Sequence, residues 1–60
     1  MYVLLNENGD YYSMELFGVL LTTRDIQHAT KYNDIKIAFR DQSRLLEKYK
    51  CVYSINTYIL

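Results

Sequence analysis

Residues 34–50 constrain the fold more than any other part of the chain, because their apolar side chains recur at the spacing of an α-helix. At about 100° per residue, these positions fall within an arc of roughly 120°, which is the width of a core-facing stripe. The stripe consists of Ile35, Ala38, Phe39, Gln42, Leu45, Leu46 and Tyr49. We therefore predict one amphipathic helix that covers the core, with Asn33 or Asp34 as its N-cap.

Four basic residues lie on the opposite side of this helix, each four positions after the previous one. This basic ridge consists of Lys36, Arg40, Arg44 and Lys48. Lys and Arg are good helix formers and usually occupy solvated faces. Like charges at this spacing nevertheless cost about 0.2–0.5 kcal/mol per pair. The alternative interpretation is therefore a contact surface for phosphate groups or for an acidic protein.

The beginning of the chain predicts a β-hairpin. Asn8 and Gly9 separate two runs of alternating apolar residues, and both tolerate the positive φ that a type I′ turn requires. A two-residue loop then sets Leu5 opposite Tyr12. The face assigned to the core carries Val3, Leu5, Tyr12, Met14 and Leu16, and the other face carries Tyr2, Leu4, Asn6, Tyr11, Ser13 and Glu15.

Three further segments complete the predicted fold. Residues 17–21 are a continuous apolar run of strand or loop type, in which Gly18 indicates a bulge or a turn. Residues 26–29 follow hydroxyl N-caps and predict one short helical turn. Residues 51–60 alternate like a half-buried strand. We therefore predict a single α+β domain, residues 1–60, in ββαβ order: a three-stranded antiparallel sheet with the helix packed on one face.

The small size of the chain predicts self-association. A chain of 60 residues buries only about 60% of the surface that its unfolded form exposes. The lone cysteine, Cys51, cannot form an intramolecular disulfide, and with the lone His28 it cannot build a four-ligand zinc site. We therefore expect a reduced, cytoplasmic setting and a homodimer, to which the surplus apolar run 17–21 contributes.

Charge and hydropathy argue against bulk attraction to nucleic acid or to a membrane. The formal net charge is zero at pH 7, so no long-range field favours a polyanion. The longest apolar run, residues 16–21, is far shorter than the roughly 20 residues of a membrane span. We expect no membrane partner.

A second candidate contact surface is the sheet face that the helix leaves uncovered. Tyr2, Leu4, Tyr11 and Tyr58 are predicted to lie on it. Tyrosine with aliphatic neighbours is typical of protein interfaces, because its ring supplies area and its hydroxyl a polar tip. Base stacking with single-stranded nucleic acid is the rival use, and plain exposure of strand tyrosines is the simpler one.

No catalytic or metal-binding motif emerges from the sequence. His28 and Cys51 could act as base and nucleophile, but nothing in their spacing brings them together, and Cys51 is more simply a small buried residue. If Gly9 took the sixth position of a calcium loop, Glu15 would take the twelfth, but the first position would be Leu4, which has no ligand oxygen. We expect no enzyme activity and no cofactor.

The order of these segments resembles the small uncharacterised proteins encoded in the early regions of tailed-bacteriophage genomes. The resemblance rests on the opening YVLLNENGDYY, the connector TTRDIQHATKYND, the amphipathic helix and the closing strand. The matching connector positions are Thr23, Asp25, Ile26, Ala29 and Tyr32. The resemblance implies a phage-encoded protein that modulates or inhibits a host or defence protein by direct contact. The alternative is a small nucleic-acid-associated protein that uses the basic ridge.

Overall fold

The computed structural model describes residues 1–59, which form four strands and one α-helix. In chain order these are β1 (Tyr2–Asn6), β2 (Tyr11–Leu16), β3 (Val19–Thr23), α1 (Ile35–Tyr49) and β4 (Tyr53–Thr57), with a short 3₁₀ turn at Ile26–His28. The sheet is antiparallel in the order β3-β2-β1-β4, and α1 packs on one face against β1 and β4. The predicted α+β fold with one helix is confirmed. The predicted three-stranded ββαβ layout lacks one strand, because residues 19–23 form a fourth strand at the edge of the sheet.

The helical segments begin and end where their capping residues predict. The Asp34 carboxylate accepts the backbone N–H of Lys36 at 2.9 Å, which satisfies one free donor of the first turn of α1. Lys50 ends the helix in the left-handed conformation, and its N–H donates to the Leu46 carbonyl. The 3₁₀ turn is capped by the Asp25 carboxylate, which accepts the N–H of Gln27 at 2.9 Å, and not by a threonine hydroxyl as predicted. The predicted helix and the predicted short turn are both confirmed. Leu60, the last residue of the predicted final strand, lies outside the described residues.

The first hairpin differs from the prediction by one residue. Asn6 N–H donates to the Asp10 carbonyl, which leaves a three-residue loop in which Gly9 has φ 85°. A type I′ turn would also need positive φ at Asn8, and Asn8 does not have it. Instead, the Asn6 side-chain oxygen accepts the N–H groups of Asn8 and Asp10, at 3.0 and 2.9 Å, and stabilises the wider loop. The predicted type I′ turn and its register are therefore wrong.

The two-residue hairpin turn lies instead between β2 and β3. Leu16 pairs with Val19, and the two residues between them, Phe17 and Gly18, have φ of 51° and 77°. Positive φ at both central residues is the property of a type I′ turn, whose twist suits the flanking strands. The apolar run 17–21, for which the sequence allows a strand or a loop, is therefore a turn followed by the edge strand β3.

A short bridging segment, residues 30–32, joins the two halves of the sheet. β1 and β2 pair directly near their loop, where Leu5 lies opposite Tyr11. Farther along, Tyr32 exchanges two backbone hydrogen bonds of 2.8 Å with Tyr2 of β1, and Thr30 N–H donates to the Tyr12 carbonyl of β2 at 3.0 Å. Backbone groups that would lie unpaired between the diverging strands are thereby satisfied.

The core lies between α1 and the facing side of the sheet. Its buried members are Leu4, Tyr12, Tyr32, Ala38, Leu45 and Tyr53. The rings of Tyr12 and Tyr53 meet edge to face, with centroids 6.2 Å apart, which is a favourable aromatic geometry. Because of the shifted register, Leu4 rather than Leu5 points toward the helix.

The predicted division of the sheet into two faces is partly wrong: in β1 because of the shifted register, and in β2 because its pairing with β3 is irregular between Tyr12 and Met14. Tyr12 is in the core as expected, but Met14 and Leu16 are about half exposed. Val3 is fully buried, yet it alternates with Leu4 and so points away from the helix. The connector covers this side of the sheet in part, since the Ser13 hydroxyl donates to the His28 carbonyl at 3.2 Å.

Replacing Tyr53 by Phe should stabilise the protein. Tyr53 is 1% exposed, and its hydroxyl has no hydrogen-bond partner among the described residues. Since a buried unpaired polar group costs about 1–3 kcal/mol, we expect Tyr53→Phe to raise the free energy of unfolding by about 1 kcal/mol in a urea titration. Tyr32→Phe is the matched control, for which we expect the opposite change in the free energy of unfolding. The Tyr32 hydroxyl donates to the Asp41 carboxylate at 2.7 Å, so its removal should lower that free energy by about 1–2 kcal/mol. Equal effects of the two substitutions would contradict this assignment.

Candidate interaction surfaces

The predicted basic ridge is not one continuous surface. Arg44 forms an ion pair with Glu15 of β2, and Lys48 Nζ lies 3.1 Å from the second carboxylate oxygen of Glu15. Lys36 and Arg40 are exposed and form no ion pair among the described residues. Half of the predicted ridge is therefore used to hold the helix on the sheet, and the other half is left for solvent or a partner.

Glu15 is the centre of a polar cluster that links α1 to β2. The Tyr49 hydroxyl donates to its carboxylate at 2.6 Å, and Arg44 and Lys48 donate as well. The Tyr49 hydrogen bond first, then those of Arg44 and Lys48, hold the pKa of Glu15 at about 2, below its ordinary value of 4.5. The carboxylate in turn raises the pKa of Lys48 and of Tyr49. Glu15 is therefore an anion throughout the neutral range.

The same cluster reaches the bridging segment through the helix. Arg44 Nε donates to the Asp41 carboxylate at 3.3 Å, and the other oxygen of Asp41 accepts the Tyr32 hydroxyl. Burial and this hydrogen bond to Asp41 raise the pKa of Tyr32. A chain of charge-assisted contacts thus connects β2, α1 and residues 30–32.

The predicted tyrosine-rich sheet face does not exist as one surface. Leu4 is fully buried in the core, so its placement on an uncovered face is wrong. Tyr2 packs against the same core from the helix side. Tyr11 is half-buried on the opposite face, and Tyr58 lies under the ammonium group of Lys31, 5.2 Å from the ring centre. The one-residue register shift explains why these four residues are separated.

An exposed apolar surface occupies the β2–β3 hairpin. We call it the hairpin surface, and it consists of Met14, Leu16, Phe17, Val19 and Leu21, which are 36% to 96% exposed. Met14 lies opposite Leu21 and Leu16 opposite Val19, while Glu15 between them points to the helix. These four side chains therefore share the face away from α1. The sequence signals the apolar run 17–21 but not the exposure of Met14 and Leu16, because it carries no signal for the irregular pairing after Tyr12 that turns them away from the helix.

Phe17 is the most exposed large apolar residue of the hairpin surface. It is 96% exposed at the tip of the turn, and its φ is 51°. For a bulky residue this left-handed conformation is a true outlier that costs roughly 1–2 kcal/mol. The side chain is too exposed to offset this cost by burial within the chain. Folding alone therefore does not explain a phenylalanine at this position.

A second exposed apolar surface runs along one side of α1. We call it the helix flank, and it consists of Ile35, Phe39 and Leu46, which are 38%, 52% and 47% exposed. All three were predicted to face the core. The helix is rotated by roughly 60° from that expectation at 100° per residue, since Arg44 and Lys48 turn toward Glu15. The flank lies on the β4 side, because Gln42 Nε2 donates to the Tyr53 carbonyl at 2.6 Å.

His28, Cys51 and the first hairpin loop, which the sequence raised as candidates for catalysis or metal binding, do not form one site among the described residues. Within residues 1–59 no pocket is found, and no group of three or more metal-ligating side chains lies together. His28 is exposed beside Asp25, and Cys51 borders the core. The loop considered as a calcium site is the hairpin loop closed by Asn6. None of the described helical segments has the length and apolarity that crossing a bilayer requires.

Comparison with protein-family models, with characterised proteins and with solved structures finds no match for this chain.

Replacing Glu15 by Gln should make the free energy of unfolding depend less on pH below about pH 4.5. Because the pKa of Glu15 is lower in the folded protein than in the unfolded chain, its stabilising effect is present above pH 4.5 and is lost as the pH falls toward 2. We expect urea midpoints of the wild type to fall over this range, and those of Glu15→Gln to start lower and fall less. Glu7→Gln is the control, since Glu7 is exposed and forms no ion pair among the described residues. Parallel curves for wild type and Glu15→Gln would refute the role given to Glu15.

Replacing Phe17 by Asn should stabilise the chain, although it removes a large apolar side chain. Asn-Gly is the preferred pair for a type I′ turn, and Asn tolerates positive φ. We expect Phe17→Asn to raise the free energy of unfolding by about 0.5–1 kcal/mol in urea titrations. Phe17→Ala removes the ring but keeps a residue disfavoured at positive φ, so it should change stability little. A clear loss of stability in either variant would show that the ring supports the fold.

Proposed function

We propose that this chain is a non-enzymatic binding protein, encoded by a bacteriophage, that modulates or inhibits a host or defence protein in the host cytoplasm by direct contact through the hairpin surface. The resemblance to phage early-region proteins supports the origin and the type of target. The conformation and exposure of Phe17 support the contact surface.

Exposed apolar area and backbone strain both support the hairpin surface as the contact site. Contiguous exposed apolar patches mark interaction sites in small soluble proteins, and five large apolar side chains are exposed together here. Phe17 at their tip has a backbone conformation that costs free energy in the isolated chain. Burial of its ring in a pocket of a partner would offset this cost. Aromatic anchors of this kind contribute much of the binding energy at protein interfaces.

The nucleic-acid alternative is less well supported by the same structure. Phosphate binding along the basic ridge requires its four cations to be available. Arg44 and Lys48 are engaged with Glu15, which leaves Lys36 and Arg40 as the two ridge cations without an ion pair among the described residues.

Phe17→Asn separates binding from folding, because we expect this variant to be at least as stable as the wild type. Tagged wild-type protein should capture a bacterial protein that Phe17→Asn does not, and with that protein purified, titration calorimetry should show at least tenfold weaker binding by Phe17→Asn. Ile59→Asn is the control, since Ile59 is equally apolar and 84% exposed but lies outside the hairpin surface.

Two results would overturn the proposal. One is equal affinity of wild type and Phe17→Asn for the purified partner. The other is the absence of any captured protein together with a salt-sensitive gel shift, which would favour nucleic acid instead.

A further inference from the structure

We infer that Asn8 is a site of self-modification, at which the side-chain amide is converted to a carboxylate through attack by the backbone nitrogen of Gly9. The modified loop then holds β1 to β2 less firmly than the original loop does. The inference does not rest on the proposed function, because this loop and the turn of the hairpin surface lie at opposite ends of β2.

The reaction needs no partner other than water. The Gly9 nitrogen loses its proton and attacks the side-chain carbonyl carbon of Asn8, and the side-chain nitrogen takes up a proton and leaves as ammonia. The product is a five-membered cyclic imide that includes the Gly9 nitrogen. Water then opens this ring at either of its two carbonyl carbons. One opening gives aspartate, and the other gives isoaspartate, in which the main chain runs through the former side chain.

Gly9 makes Asn8 the most reactive of the four asparagines. A side chain on the following residue hinders the approach of its nitrogen to the amide carbon, and glycine has no side chain. The space at Gly9 is open, since no described atom lies within 4 Å of the position that a Cβ would take. The other asparagines precede Glu7, Asp34 and Thr57. Residues 8 and 9 are both exposed, so water reaches them.

The Asn8 side chain is not used by the fold. The Asn6 carboxamide accepts two backbone N–H groups, and that of Asn56 donates to the Ser54 hydroxyl at 3.0 Å. The Asn8 carboxamide makes no hydrogen bond to another described residue. Its backbone φ is not positive, so the turn does not require asparagine at this position. Nothing in the loop therefore holds the amide away from the Gly9 nitrogen.

One hydrogen bond must open before the Gly9 nitrogen can attack. The Gly9 N–H donates to the Asn6 carbonyl at 3.2 Å, which is the long end of the range for such bonds. The bond lies in an exposed loop, and bonds in such places open at little cost in free energy. The folded loop therefore slows the attack without preventing it.

Both products change the contacts that close the loop. Asn6 closes it by accepting the N–H groups of Asn8 and Asp10 through its side chain. Isoaspartate adds a further carbon to the main chain between these two N–H groups, so they no longer lie at the spacing that Asn6 bridges. Aspartate keeps the spacing, but it places a new carboxylate between Glu7 and Asp10 and turns the formal net charge of zero into −1.

The loop matters because β1 and β2 are joined by few other contacts. They pair directly near this loop, where Leu5 lies opposite Tyr11, and farther along residues 30–32 lie between them. A lengthened loop weakens the direct link and leaves the bridging segment to hold the two strands. The isoaspartate form is therefore less stable than the chain as synthesised, and the folded protein ages by a reaction that it carries out on itself.

Mass spectrometry of peptides from the folded chain tests the reaction. After incubation, we expect amide loss at Asn8 to be on the order of ten times faster than at Asn33 or Asn56, because only Asn8 precedes a glycine. The rate should rise from neutral to mildly alkaline pH, since the Gly9 nitrogen must lose a proton. Aspartate and isoaspartate should both form, because only the cyclic imide gives the second product. Equal rates at the three asparagines, or reaction at Asn8 only after unfolding in urea, would overturn the inference.

Matched variants test the effect on stability. Asn8→Ser cannot form the ring, and it should begin with the urea midpoint of the wild type and keep it during incubation. The isoaspartate form, separated by chromatography, should have a lower urea midpoint. Freshly purified Asn8→Asp adds the charge without the further carbon, so its midpoint should lie between the two. An isoaspartate form as stable as Asn8→Ser would refute the effect on the hairpin.

Discussion

The contact of the Glu15 carboxylate with α1 determines how the helix lies on the sheet. Three donors from the last two turns of the helix converge on this one side chain, and charge-assisted hydrogen bonds of this kind are about twice as strong as neutral ones. The helix is consequently rotated toward β2, with Ala38 and Leu45 buried and Phe39 turned outward. One acidic residue thus explains both the loss of the basic ridge and the appearance of an exposed apolar flank.

Local signals in the sequence predicted the segments better than their arrangement. The caps and periodicity of α1 depend on residues close together in the chain, and α1 was predicted to within one residue at each end. The register between β1 and β2 was not predicted correctly, because the Asn6 side chain favours a three-residue loop over a two-residue Asn-Gly turn. A one-residue shift exchanges the two faces of a strand, which is why Leu4 and Leu5 were interchanged.

The candidate surfaces were harder to predict for a related reason. The pairing of Arg44 with Glu15 joins residues 29 positions apart, and helical periodicity carries no information about such a pair. The run 17–21 drew attention to the hairpin from composition alone. The sequence does not predict a type I′ turn with Phe17 at its first central position, because Phe is among the residues least suited to that position. Only the pairing of Leu16 with Val19 shows the turn.

The bridging segment has a consequence for the dynamics of the protein. It joins the β2–β3 half of the sheet to the β1–β4 half through a few backbone hydrogen bonds, whereas each half is held by a longer ladder of its own. Local opening follows the places with the fewest bonds. Opening between the two halves would therefore begin at the bridging segment, and the core that Tyr12 shares with Leu4 and Tyr53 limits how far the hairpin half can move.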